Sequence, residues 1–236
     1  ISRDISSLKE KEITAQTYAS HLEDDLVFKE EMLDMQSTLM REIDHRVRNS
    51  LNMIGGLLTI HSHVSRNTEV QAALQDSANR VRTVAQLHEL LYRGDRLDKV
   101  NAKDYLSALV NYATESVGSR QVRLVSDIDP VELDFRQSTA LGMICAEALL
   151  NAIRHGMPPG DDGAVRVSFH RDASGVCRLE IENSGGSLPE GFDPASAGGL
   201  GLKIVNIYAE QLCGQFQMYN LPEGGVLCTL AFDSQA

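Results

Sequence analysis

A chain of 236 residues with 42% hydrophobic content has the length for one large domain or two modest ones and an ordinary globular composition. Its formal net charge of −11 argues against a general nucleic-acid or anionic-membrane binder, which needs a cationic face to displace counterions or meet lipid headgroups. No apolar run approaches the roughly 20 residues that span a bilayer, and Ile1-Ser2-Arg3-Asp4 resembles no secretory leader, so no membrane contact and a cytoplasmic location are expected.

From about residue 8 to 64 there is no proline, and the glycines are limited to Gly55 and Gly56, which permits a very long helix. Leu26, Leu33, Met40, Val47 and Ile54 fall seven apart, with Leu22, Ile43 and Leu57 on the intermediate d positions. That is a heptad seam, and a seam implies a partner helix. Lys29 and Gln36, also at d positions, weaken it and leave alternative registers close in energy. A second helix is predicted over about 68–91, with Val70, Leu74, Val81, Val84, His88 and Leu91 keeping the same spacing. The turn at Arg66-Asn67 folds the two into an antiparallel hairpin, and two hairpins would make a four-helix bundle.

Gly94-Asp95-Arg96 breaks the heptads and reads as a hinge. Beyond it the pattern is mixed. Asn101 can cap a helix carrying Tyr105, Leu109 and Tyr112, and 122–128 alternates as a strand. A long helix is predicted over 134–155, then strands around 165–169 and 179–181 flanking an Asp172-Ala173-Ser174-Gly175 turn. A glycine-rich loop leads into a helix over about 200–212, and strands at 215–219 and 226–232 flank a turn at 222–225. The expected fold class is α+β: an N-terminal helical hairpin, then an α/β sandwich whose mixed sheet carries helices on one face. Cys145, Cys177, Cys213 and Cys228 show no C-x-x-C pairing and have apolar neighbours, so buried free thiols are expected rather than disulfides or zinc ligands.

Three separated stretches suit a nucleotide. Glu147, Asn151 and His155 are spaced by four, which puts them on one helix face with Arg154 beside them. A carboxamide oxygen from Asn151 suits Mg²⁺, while Arg154 and His155 suit phosphate oxygens. Asn183-Ser184-Gly185-Gly186 follows a strand directly, and its glycines let the backbone approach a flat ligand. Gly198-Gly199-Leu200-Gly201-Leu202 opens into a helix, whose free N–H groups and positive dipole end favour an anion. Each alone reads more readily as a solvated helix face, a turn or a loop.

Their order resembles the ATP-binding domain shared by histidine kinases, Hsp90-type chaperones, MutL proteins and type II topoisomerases. Upstream, Asp44-His45-Arg46-Val47-Arg48-Asn49-Ser50-Leu51 and the return arm from Arg80 to Tyr92 resemble the dimerization and phosphoacceptor region of the HisKA_2 family of sensor histidine kinases. The likeness covers roughly 35–232. It implies that His45 is the phosphoacceptor, that Glu147 and Asn151 form the N-box, and that Gly185 opens one glycine box. Gly199 and Gly201, with Leu200 and Leu202, would form the second glycine box.

The implied activity is ATP-dependent autophosphorylation of His45, with Mg²⁺, followed by transfer to an aspartate on the receiver domain of a response regulator. The heptad frame places His45 at an outward f position. Asp44 or Glu147 could hold the opposite imidazole N–H, and Asn49, one turn on, matches a residue that positions water for dephosphorylating the partner. Departures from the family are Asn183 where Asp is usual and Ser187 where Gly is usual; aligning Glu182 instead requires a one-residue gap. On this basis Asn183 would leave a weaker adenine contact, and restoring Asp would tighten ATP binding.

The absence of Trp argues against the related HWE family. Asp4-Ile5-Ser6-Ser7-Leu8-Lys9 resembles the last strand and exit of a PAS-type sensor. The expected division is therefore a linker from an upstream sensor over 1–20, the phosphoacceptor hairpin over 21–94 and the ATP-binding domain over 95–236, assembled as a homodimer. The alternatives are a degenerate kinase acting as a histidine phosphotransferase or scaffold, and an ATPase of the chaperone or mismatch-repair type, which would need a further domain supplying a catalytic Lys or Arg.

Overall fold

A computed structural model describes residues 2–91, 99–116, 122–156, 163–196 and 199–234. The chain divides into two compact units, Ile1–Asn49 and Ser50–Ala236. Helix α1, Ser2–Val64, starts in the first and ends in the second. Asp4–Lys9, expected to leave a PAS-type strand, are helical instead. A strand must find a ladder partner, and no described strand precedes Val100, whereas a helix satisfies its backbone internally. Along the described seam Leu26 is 58% exposed, Ile43 53% and Leu57 51%, while Met40 and Val47 are half-buried.

In the second unit, α1 turns back at 65–67 into α2, Thr68–Leu91. Asn67 caps α2, its Oδ1 accepting from the amides of Glu69 (2.8 Å) and Val70 (3.3 Å). The arms are tied by Ser62 Oγ–H to the Gln71 carbonyl (3.2 Å) and by Arg82 Nη2 to Thr59 Oγ1 (3.0 Å). The expected hinge at Gly94-Asp95-Arg96 lies outside the described residues.

The remaining elements are β1 Val100–Asn101, α3 Ala102–Ser116, β2 Arg123–Ile128, β3 Glu132–Leu133, α4 Phe135–His155, β4 Ala164–Arg171, β5 Val176–Asn183, α5 Leu200–Gln211, β6 Gln215–Asn220 and β7 Val226–Asp233. β1 and β3 form a two-residue antiparallel pair with no alternation long enough to read from sequence. Helix α3 begins where Asn101 Oδ1 accepts from the Lys103 amide at 2.9 Å. Helix α4 begins at a capping box in which Asp134 and Gln137 satisfy each other's backbone amides.

The main sheet runs β2-β4-β5-β7-β6. β2 and β4 are parallel and the other pairs antiparallel. Period-2 alternation sends Val165, Val167 and Phe169 to the same face as Leu179, Ile181, Leu230 and Phe232, all buried. Leu141, Ile144 and Leu149 of α4 are fully buried in the same core. Each large apolar side chain so covered stabilises by about 1.5–3 kcal/mol, which makes this layer a rigid platform for the loops at its edge.

All four thiols are free, and Cys145, Cys177 and Cys228 are buried, but Cys213 is exposed. Cys213 follows the last turn of α5 with φ 49°, the left-handed position that ends many helices at the surface. Burial pushes the Cys145 and Cys228 thiols up to about 12 and raises Cys177. Among the described residues, no helix is long and apolar enough to cross a membrane.

Candidate functional site

A cavity of about 630 Å³ opens where the C-terminal half of α4, the turn after β5 and the start of α5 meet. That volume suits a nucleotide-sized ligand. Asn151 and Arg154 from α4, Asn183 at the end of β5 and Gly199 to Leu202 line it. Leu188, Met218 and Val226 supply apolar wall. Four stretches distant in sequence therefore share one cleft.

Glu147 is only 4% exposed, so the polar stripe on α4 is not a solvated face. Arg80 Nε–H of α2 donates to its Oε1 at 3.0 Å, with the two side chains 20% and 6% exposed. Removing one member of so enclosed a pair typically costs about 3–5 kcal/mol, because the other charge is left uncompensated. Gly201 packs against the same carboxylate: a Cβ there would lie 2.5 Å from Glu147 Oε2 and 3.2 Å from Arg80 Nη2. Glycine is thus required at 201 by close approach.

At the start of α5, Gly199 is the N-cap and contributes no side-chain cap. The first intrahelical bond is Lys203 N–H to the Gly199 carbonyl at 3.2 Å, so the amides of Leu200, Gly201 and Leu202 precede it and remain for an anion. Arg154 Nη1 reaches Asp76 of α2 at 3.0 Å, a half-exposed pair that solvent screens to little net energy.

Asn183 is 3% exposed. Its Nδ2 donates to the Gly156 carbonyl at 3.1 Å and also to the Gly185 carbonyl. A Cβ on Gly156 would collide with this carboxamide, and one on Gly225 with the Asn183 carbonyl, so the residue is seated tightly. With Nδ2 committed to two carbonyls, Oδ1 accepts from none of the described residues and faces the cavity as a neutral acceptor. A carboxylate at this position could donate to neither carbonyl, which weighs against the expected gain in ATP binding from Asp. Gly185 does not line the cavity; it takes part through its carbonyl, while Ser187 does line it.

His45 and Asn49 belong to the first unit, and both are exposed. Asn49 Nδ2 lies 3.2 Å from His45 Nδ1. The carboxamide end therefore engages Nδ1, and Nε2 has no partner among the described residues. The side chains of Asp44 and His155 lie outside the described residues. Sequence reading missed Arg80 and Asp76, whose α2 positions gave no local sign that they would border this cleft; a buried acid on α4 calling for a cation is the signal that finds Arg80.

A mixed five-stranded sheet with a nucleotide-sized cleft between an Asn-bearing helix and a glycine-led helix defines a GHKL-type ATP-binding domain, here preceded by a helical hairpin. The HisKA_2 histidine kinase model matches residues 42–117, and the histidine kinase-, DNA gyrase B- and HSP90-like ATPase model matches 136–236. The chain thus carries a HisKA_2-like histidine kinase segment followed by a segment of the ATPase family. It is 28% identical over 200 residues to the sensor histidine kinase PdtaS of Mycobacterium tuberculosis, covering 84% of this chain and 40% of that protein. It is 24% identical to the blue-light-activated histidine kinase 2 of Erythrobacter litoralis, covering 79% and 54%. The histidine kinase domain of the Erythrobacter litoralis EL346 blue-light activated kinase superposes with a TM-score of 0.62 at 18% identity, over 79% of this chain and 96% of that one. The chain thus spans 40% of PdtaS, and its ATPase domain implies ATP binding.

Proposed function

We propose that this chain is the kinase core of a two-component sensor, which phosphorylates its own His45 from Mg-ATP and passes the phosphoryl group to an aspartate of a receiver domain. The observation that carries this reading is the cleft in which Asn151, Arg154, Asn183 and the start of α5 converge. Asn183 Oδ1 offers an acceptor suited to an adenine amine. The first-turn amides of α5 and Arg154 suit the phosphates. Asn151 would be the oxygen donor on α4 that holds Mg²⁺, which would supply charge neutralisation at the phosphates.

The acceptor step needs an unprotonated nitrogen. Asn49 Nδ2 lies at Nδ1; a half-turn of this carboxamide would present its oxygen to Nδ1–H, keep the ring proton on Nδ1 and leave the lone pair on Nε2. The Nε2–phosphorus bond then forms as the bond from the γ-phosphorus to the bridging oxygen breaks, releasing ADP. Glu147 is assigned to stabilising the imidazolium, with Asp44 the alternative. In the second step the nitrogen–phosphorus bond gives way to an aspartyl oxygen–phosphorus bond on the partner.

The same reading divides the chain into a sensor linker over 1–20, a hairpin over 21–94 that pairs with a second copy through the exposed seam, and an ATP-binding domain over 95–236. Incubation with γ-labelled ATP and Mg²⁺ tests it. Acid-labile, base-stable label on the chain is the expected result, and label transferring to a receiver domain extends it. ATP binding without label would leave the kinase step unsupported. Absence of ATP binding would select the phosphotransferase alternative.

A further inference from the structure

We propose that Arg80, on the return helix of the hairpin, is a phosphate-contacting residue of the nucleotide site, joining the ligand's phosphates to Glu147 through one guanidinium. The inference rests on the ATP reading of the cleft.

Arg80 borders the cleft and gives only its Nε–H to Glu147. Among the described residues, neither of its Nη groups donates to a partner. Arginine presents its donors as a rigid planar fork, so fixing Nε on the carboxylate fixes where the other edge points. The second position is set by Gly201: a Cβ built there would be 3.2 Å from Nη2, which puts that nitrogen beside the first turn of α5. Among the described residues the amides of that turn have no acceptor, and such amides favour an anion. An anion held by them therefore meets an Arg80 edge that already carries free donors.

Charge supports the assignment. Among the described residues, Arg80 and Arg154 are the cations bordering the cleft, in a chain whose net charge is −11. Arg154 is half exposed and paired with Asp76, while Arg80 is 20% exposed, where charge-assisted bonds are less screened. Packing alone would ask nothing of the Nη groups; a longer apolar side chain would cover Gly201 as well. The nucleotide site thus includes a residue 67 positions upstream of Glu147, in the hairpin rather than the ATPase segment.

The test is the ratio of ATP to adenosine affinity, by calorimetry with Mg²⁺ present, in the unsubstituted chain, Arg80→Gln, and Arg80→Gln combined with Glu147→Gln. The double variant removes both charges, so no buried carboxylate is left unpaired to unfold the site. Loss of one charge-assisted contact lowers the ratio by about tenfold or more, and this is expected in the double variant and in any folded single variant. A ratio unchanged in the double variant overturns the proposal while leaving the ATP reading intact. An unsubstituted chain that binds adenosine no more weakly than ATP also overturns it, and failure to bind ATP at all removes the ATP reading and this inference together.

Discussion

Replacing Asn183 by Asp changes a donor into an acceptor at a residue 3% exposed. Two carbonyls, of Gly156 and Gly185, lose the Nδ2 donor they share. A buried polar group left unsatisfied costs about 1–3 kcal/mol, which applies in full to the buried Gly156 carbonyl and in lesser measure to the half-buried Gly185 carbonyl. Facing two carbonyl oxygens in a desolvated site, the introduced carboxyl has its pKa raised, and once protonated it recovers one of the two bonds. The net loss is then about 1–3 kcal/mol. A charge-assisted bond to an adenine amine would return about 1 kcal/mol, but only in the ionised form that the carbonyls oppose. Asn183→Asp should therefore lower the unfolding midpoint by roughly 2–12 °C and weaken ATP binding several-fold. The pH dependence has a definite sign. A carboxyl whose folded pKa lies above its unfolded value of about 3.9 binds more protons when folded, so the deficit against the parent grows as pH rises through that interval. Thermal unfolding between pH 4 and 8 and ATP calorimetry measure both effects. A variant as stable as the parent that binds ATP more tightly would refute the donor role of Asn183.

Gly201→Ala places a methyl 2.5 Å from Glu147 Oε2, and overpacking of this kind costs about 1–3 kcal/mol. It should weaken ATP binding tenfold or more by calorimetry, with Gly199→Ala, where nothing lies within 4 Å, the milder change. Asn49→Ala releases His45 Nδ1 and should slow autophosphorylation several-fold with ATP affinity retained, read from initial rates at saturating ATP. Cys213 alone among the cysteines is exposed, so a thiol reagent at pH 8 should modify it alone in the native protein, as peptide mass mapping would report.

Much of the architecture was legible because local signals agreed. The heptads ended at the proline-free arm's turn, and α2 spans the expected 68–91. The alternation of Val165, Val167 and Phe169 marked β4, and the step of four from Glu147 to Asn151 put both on one side of α4. Asp134 and Gln137 were a readable capping box that escaped notice. Asp4–Lys9 misled because short mixed segments carry no period, and the helix won by continuing α1. Cys213 has apolar neighbours in sequence, but helix termination turns it outward. The buried state of Glu147, its Arg80 partner and the donor role of Asn183 depend on contacts between distant segments, which periodicity does not encode. Asn183 in particular reads as a weakened acceptor from its type alone, and the Gly156 carbonyl, 27 residues away, shows it acting as a donor.

The acceptor assignment is tested most directly by comparing the parent with His45→Gln after incubation with γ-labelled Mg-ATP, alongside calorimetric ATP binding. His45 is exposed and is oriented by Asn49, so its replacement should leave fold and nucleotide affinity in place. The account predicts acid-labile, base-stable label on the parent, none on His45→Gln, and the same ATP affinity for both. Label of that chemistry persisting on His45→Gln would contradict it.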